Sequence, residues 1–233
     1  YHQMAEKAKA YLKKEFFVSD GTLLPTFRGM QTPALFALRN GLVEGEAKEA
    51  TIARLRENFA QHDNCLQTGF LGTSILMQTL TDNGMQDIAY ELLFQHKNPS
   101  WLYSVDQGAT TVWERWNSYT KAEGFGVVSM NSFNHYAYGA VLAWIYKHSA
   151  GIASDPVTAG FKRLILAPKP DRRFGFVKAA YRSAAGLIKS AWRYEGDKWI
   201  WDFTVPEGAT AIVTLPGEKT GKPYDAGTYH IER

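Results

Sequence analysis

The spacing of apolar residues changes once along this chain, near Gly151, and that change constrains the fold more than any single residue does. Hydrophobic side chains recurring every three to four residues line one face of a helix, whereas alternation at every second residue lines one face of a strand. Residues 1–150 follow the first rule. Tyr1, Met4, Ala5, Ala8, Tyr11, Leu12 and Phe16 recur at helical spacing, while Lys7, Lys9, Lys13 and Lys14 take mainly the other positions. Thr32-Pro33 reads as an N-cap followed by proline at the first helical position, and Asn40-Gly41 as a stop, which brackets a second helix. A third helix is expected from about Glu46 to Gln61, and a fourth from near Thr73 to Asn83-Gly84. A fifth follows around Ile88, Ala89, Leu92 and Leu93, and a sixth spans about Ser132 to Ser149. Six helices with mostly short connections imply three antiparallel hairpins. The exception is the connection from about Asn98 to Met130, far longer than the usual roughly 2 to 8 residues, and long ordered loops are usually functional.

Beyond Gly151 the period is two. Trp199, Trp201, Phe203 and Val205 alternate with Ile200, Asp202 and Thr204, and Ala209, Ala211, Val213 and Leu215 alternate again past the turn at Pro206-Glu207-Gly208. Arg163 to Ala167, Val177 to Arg182, Gly186 to Tyr194 and Thr228 to Glu232 are further strand candidates, with Glu195-Gly196-Asp197 as a hairpin turn. Short strands at close spacing predict an antiparallel β-sandwich. Gly, Ser, Asp and Pro cluster between Gly151 and Gly160, so the expected division is a helical domain over 1–152 and a β domain over 153–233.

Composition narrows the partners. With 45% hydrophobic and 21% charged residues the chain is ordinary globular protein, and a net charge of +3 without clustering is too weak an electrostatic footprint for nucleic acid. No apolar run approaches the ~18 residues of a membrane span, so no membrane partner is expected. The N-terminus reads as a helix and not as a signal peptide, as if the chain begins inside a fold. Cys65 is the only cysteine, which excludes an internal disulfide and leaves the compartment unread; a buried, inert thiol is the simplest account of it. The histidines form no i, i+4 pair and Cys65 has no ligand-spaced neighbour, so neither a metal nor a cofactor is expected. Gly69-Phe70-Leu71-Gly72-Thr73 lacks the Lys-Ser/Thr of a phosphate loop and reads as a tight turn into the fourth helix. Lys162, Arg163, Lys169, Arg172, Arg173, Lys178 and Arg182 read as solvated strand edges and turns.

The densest chemistry lies in WLYSVDQGATTVWERWNSY, residues 101–119, where Glu114 and Arg115 sit between Trp113 and Trp116. A carboxylate boxed by aromatics is the kind of group an active site orients. Spacing alone equally allows a Glu-Arg pair on a surface turn whose tryptophans anchor a long loop. His135, in SFNHYAYG, is the second candidate, against the plainer reading of a hydrogen-bonded core histidine.

Three runs, LQTGFLGTSILMQTLTDNGMQDIAYELLFQ, PSWLYSVDQGATTVWERW and SFNHYAYGAV, closely resemble glycoside hydrolase family 78, the bacterial and fungal α-L-rhamnosidases. RLILAPKP and GLIKSAWRYEGDKWIWDFTVPEGATAIVTLP are similar to the sandwich that follows the barrel in that family, so the resemblance covers nearly the whole chain. It implies an α+β multidomain protein, with about half of an (α/α)6 barrel, three hairpins, followed by the antiparallel sandwich. It implies inverting hydrolysis of terminal α-L-rhamnose from an oligosaccharide, polysaccharide or glycoside, with Glu114 as general base and His135 as a sugar contact. Trp113 or Trp116 would wall the sugar pocket. The family's general acid lies in an acidic RDER-type segment followed by a GW pair, and nothing in these residues matches it. The expectation is therefore part of an enzyme, inactive without the missing N-terminal part, with exposed apolar faces that favour self-association. A noncatalytic sugar-binding or structural remnant is the main alternative, and another inverting glycosidase on the same barrel is a third.

Overall fold

A computed structural model describes all 233 residues, which divide into two compact units, Tyr1–Val141 and Leu142–Arg233. In the first unit the helices are α1 (His2–Phe16), α2 (Pro25–Arg28), α3 (Gln31–Arg39), α4 (Gly45–Gln61), α5 (Phe70–Asp82), α6 (Gln86–Leu93) and α7 (Trp101–Asp106). The antiparallel pair β1 (Tyr119–Thr120) and β2 (Gly124–Phe125) follows α7.

The expected stops end α3 and α5 by one mechanism. Gly41 and Gly84 take φ of 61° and 74°, and the next residue turns its amide back, Leu42 to the Ala37 carbonyl at 2.9 Å and Met85 to Leu80 at 2.8 Å. A left-handed residue after the last turn lets those amides reach otherwise unpaired carbonyls, and Leu42 and Met85 are then buried. The start of α3 differs from expectation. It begins at Gln31 with Met30 as its cap, so Pro33 sits in the first turn, where its missing N–H costs nothing, and Thr32 is helical and not a cap.

Gly72 is also not a turn residue. It lies inside α5, and a Cβ there would fall 2.4 Å from Thr32 Oγ1 and 2.8 Å from Thr68 Cβ, so α3 and α5 approach closely only because it is glycine. Leu35, Phe59, Leu66, Leu76, Leu80 and Leu92 fill the core of this unit. Gln31, 1% exposed, stitches it together, donating to Asn58 Oδ1 at 2.9 Å and the Cys65 carbonyl at 3.2 Å while accepting the Gln67 amide at 2.7 Å. Every polar arm of that side chain is satisfied, which is what its burial requires.

The sixth helix forms only from Ala137, as a 3-10 turn (Ala137–Ala140), α8 (Val141–Trp144) and a π turn (Ile145–Ser149). Residues 132–136 cannot be helical, because the Ser132 carbonyl and the His135 amide are bound to Glu114 and Val112.

In the second unit β3 (Ile152–Ser154), β4 (Arg163–Leu166), β8 (Thr210–Val213) and β9 (Lys222–Tyr224) form one sheet in that order. The other is ordered β10 (Gly227–Glu232), β7 (Lys198–Val205), β6 (Gly186–Glu195) and β5 (Phe176–Ser183). All pairs are antiparallel except β4 with β8, which run parallel from Arg163 opposite Thr210 to Leu166 opposite Val213. After Pro206-Glu207-Gly208 the chain therefore crosses from β7 to the β3-β4-β8-β9 sheet instead of forming a hairpin. The alternation read in the sequence is the inward face: Trp199, Trp201, Phe203 and Val205 meet Ile188 and Trp192 of their own sheet and Leu164, Leu166, Ala211 and Val213 of the other. The antiparallel β-sandwich expected for these residues forms as two four-stranded sheets, with the β4-β8 pair as its one parallel exception.

Candidate active site

The long connection is held by side chain to backbone bonds before any chemistry is considered. Ser100 caps α7 by accepting the Tyr103 amide at 3.0 Å. Ser104 of that helix donates to the Trp116 carbonyl at 2.8 Å, and Trp101 Nε1 donates to the Tyr138 carbonyl at 2.9 Å. Ser118, fully buried, closes the turn after Trp116 by accepting the Arg115 amide at 3.2 Å and donating to the Arg115 carbonyl at 3.0 Å. Asn131 reaches back to the Ser118 carbonyl at 3.1 Å, and Gly126 binds the same oxygen at 2.9 Å.

Residues 111–114 and 132–135 lie side by side. The Glu114 amide donates to the Ser132 carbonyl at 2.9 Å, the His135 amide to the Val112 carbonyl at 2.8 Å, and the Thr111 hydroxyl to the Phe133 carbonyl. The two candidate residues thus stand on segments bonded directly to each other. Glu114 is only 9% exposed, which removes the surface-turn reading, whereas Arg115 beside it is exposed. Its Oε2 accepts the Ser132 amide at 2.7 Å, and its Oε1 has no donor within the chain. His135 is half-buried, its ring stacked on Phe70 at 4.6 Å and 18° and lying parallel to Tyr136 at 5.8 Å. Its Nδ1 faces the Ala137 amide at 3.3 Å, which leaves Nε2 available.

Trp113 and Trp116 are both buried. Trp113 meets Phe133 edge-on at 5.3 Å, while Trp116 stacks on Tyr138 at 3.8 Å and 8° and meets the edge of Trp101 at 5.4 Å. Both border a cavity of 280 Å³ with Trp101 and Tyr138, and neither Glu114 nor His135 lines it. Trp116 Nε1 is a buried donor with no acceptor in the chain.

Three residues enter this picture that the sequence reading had not singled out. Ser132 supplies the amide that orients Glu114, and a backbone donor leaves no signature in side-chain identity. Phe70 supplies the ring under His135 from the start of α5. Tyr138 carried no periodic signal linking it to His135, because the helix begins only at Ala137 and His135 lies outside it. Burial pushes its phenol above the usual range; the Arg115 guanidinium opposes that shift and the Glu114 carboxylate adds to it.

The model of the bacterial alpha-L-rhamnosidase six-hairpin glycosidase domain matches residues 1–149, and that of the bacterial alpha-L-rhamnosidase C-terminal domain matches 151–229. An alpha-L-rhamnosidase of Formosa agariphila is 43% identical over 82% of this chain and 20% of its own length. One from Streptomyces avermitilis is 35% identical over 94% of this chain and 21% of its own. The crystal structure of the Streptomyces avermitilis enzyme complexed with L-rhamnose superposes on all of this chain with a TM-score of 0.90 at 31% identity, using 24% of its own length. The native enzyme of Aspergillus terreus gives a TM-score of 0.91 at 28% identity, covering 100% of this chain and 27% of its own. The chain thus spans about a fifth of the length of the curated relatives it matches. It belongs to the bacterial α-L-rhamnosidase family, carrying sequence of the six-hairpin glycosidase domain followed by the C-terminal β-sandwich domain.

Proposed function

We propose that this chain supplies the general-base side of an inverting α-L-rhamnosidase site, with residues 1–152 as the C-terminal half of the catalytic barrel and 153–233 as the sandwich that follows it. The observation that carries the reading is the Glu114 carboxylate, buried and fixed through Oε2 by the Ser132 amide while Oε1 stays without a donor. An inverting glycosidase needs a carboxylate that takes a proton from water on the sugar face opposite the leaving group, about 6.5 to 9.5 Å from a protonated partner. Oε1 is the atom assigned to that proton. His135 is assigned to the bound rhamnose, because Phe70 fixes its plane and Nε2 remains unpaired. Trp116 spends a face on Tyr138 and Trp113 packs in a T-shaped pair with Phe133, which supports a wall that holds the Glu114 segment rigid beside the sugar. The proton donor is assigned to the rest of the polypeptide, so the 233 residues alone should not turn over an aryl α-L-rhamnoside.

The test is Glu114→Gln in the complete polypeptide. Glutamine keeps size and the Ser132 bond but cannot accept the water proton, so turnover should fall by about 10² or more with little change in rhamnose affinity. His135→Ala should weaken affinity and rate together, since it leaves a sugar hydroxyl unpaired. Near-normal turnover of Glu114→Gln would place the base elsewhere and return this loop to a purely structural role.

A further inference from the structure

A series of aromatic rings connects the two candidate residues by a route separate from the backbone bonds between their segments. Phe70, the first residue of α5, stacks on the His135 imidazole at 4.6 Å and 18° and meets Tyr138 at 5.5 Å and 56°. Tyr138, in the 3-10 turn Ala137–Ala140, stacks in turn on Trp116 at 3.8 Å and 8°. Trp116 stands two residues after Glu114 and is braced by the edge of Trp101 at 5.4 Å. Tyr138 is the ring that both branches share. Its backbone is fixed as well, since its carbonyl accepts Trp101 Nε1 at 2.9 Å.

The backbone bonds between 111–114 and 132–135 fix where the two segments lie, but they leave side-chain directions open. The Glu114 carboxylate takes its direction from the Ser132 amide, and the His135 ring takes its plane from Phe70. What relates one side chain to the other is the packing that both lean on. Ring pairs have preferred stacked and edge-on geometries, so displacing one ring of the series displaces the next. Tyr138 is 7% exposed, and a close-packed interior cannot absorb a change of shape there without moving its neighbours. An error of about 1 Å in the placement of reacting groups can cost about 10²-fold in rate. A plain core role predicts lost stability when the ring is removed; it does not predict a joint change in turnover and sugar affinity.

We infer that Tyr138 is a positioning residue, its ring setting the separation between the Glu114 carboxylate and the His135 imidazole through Trp116 on one side and Phe70 on the other. This role rests on those proposed for Glu114 and His135 and adds that the two act at a spacing held by a third side chain.

The experiment is steady-state kinetics on an aryl α-L-rhamnoside, with L-rhamnose titration, for variants of the complete polypeptide. Tyr138→Leu should lower kcat about tenfold and weaken rhamnose binding about threefold. Tyr138→Phe, which keeps the ring, should recover both to within about twofold of the parent. Phe70 is 36% exposed, and Phe70→Leu frees only the His135 plane, so it should weaken rhamnose binding about threefold with a smaller effect on kcat. If Tyr138→Leu does not fold, Phe70→Leu and Trp116→Phe carry the test. Their effects on kcat/KM should be non-additive by at least about threefold, because both act on one ring. Parent-like kinetics in a folded Tyr138→Leu, a change confined to kcat or to affinity, an equal loss in Tyr138→Phe, or additivity in that pair overturns the inference. Normal turnover in Glu114→Gln overturns it together with the reading it rests on. An inactive Glu114→Gln beside a parent-like Tyr138→Leu overturns this inference alone.

Discussion

The two units differ in how far each covers its own apolar surface. In the sandwich, Trp192, Trp201, Phe203, Ile188, Leu164 and Leu166 are all nearly inaccessible, and both sheets turn their apolar faces onto that one core. In the helical unit α1 buries no residue at all, although its spacing is amphipathic; Met4 is 70% exposed and Tyr11 62%. Val127, Val128 and Met130, close in sequence to the Glu114-bearing loop, are exposed as well. The same apolar patterning thus produces a finished core in one unit and an uncovered face in the other. Periodicity specifies which face of an element is apolar, and only the remaining sequence decides whether that face is covered.

This contrast can be attacked first where burial is deepest. Trp201 donates through Nε1 to Ser190 Oγ at 2.9 Å, and that hydroxyl donates to the Ala150 carbonyl at 2.6 Å, so the indole fills the core and completes a buried polar chain. Trp201→Ala should cost about 3–5 kcal/mol of unfolding free energy in urea titration, from cavity and lost partner together. A loss below about 1 kcal/mol would mean the sandwich is not a finished core. Next comes Gly151→Ala. Gly151 holds φ at 77°, and a Cβ there would lie 2.2 Å from the Pro168 nitrogen, so backbone strain and overlap combine for a loss of about 2 kcal/mol or more by the same titration. A neutral result would show that the start of the sandwich can shift freely.

What the sequence made legible follows the same division. Strand alternation at Trp199–Val205 and the Asn-Gly stops after α3 and α5 are local signals, and each decides local geometry. The parallel pairing of β4 with β8 is not local, and nothing in Arg163–Leu166 or Thr210–Val213 distinguishes it from an antiparallel neighbour. Helix α7 escaped because six residues show barely two turns of periodicity, leaving Ser100 as its one clear signal. The first turn expected at Ser132 failed because backbone groups of 132–135 are committed to 112–114, a competition no propensity records. At the candidate site, residue types made Glu114, His135 and the tryptophans candidates and no more. They could not reveal that Glu114 is fixed by an amide, nor that both indoles are already occupied by Phe133, Tyr138 and Trp101.

A smaller effect is expected at the sandwich's edge strand β10. Hydrogen bonding to Asp202, then to Glu232, raises the His230 imidazole above its ordinary range, while His230 and then Lys198 lower Glu232. A raised histidine stabilises fully below its unfolded value near 6.5 and loses that contribution as pH rises through the folded value. A lowered glutamate contributes above its unfolded value near 4.5 and loses it as pH falls through the folded one. The network is therefore strongest between those unfolded values. Exposed groups of this kind are screened, so the effect should be slight. Melting temperatures of parent and His230→Gln should differ most near pH 5.5 and converge near pH 8.5. Parallel curves would show that β10 is held by its backbone ladder alone.

The smallest expected stability change is the one that separates the units most sharply. Met4→Ser/Tyr11→Ser removes two large apolar groups, yet no residue of α1 is buried, so no packing is lost within the chain. Unfolding free energy should move by no more than about 0.5 kcal/mol, as at other surface positions. Solution behaviour should change more. A contiguous apolar face favours association, and sedimentation of the 233-residue chain should show less self-association in the double variant than in the parent. Should the isolated chain lose as much stability as it does in Trp201→Ala, α1 must already be covered in solution, and the distinction between a finished sandwich and an open helical unit would fail.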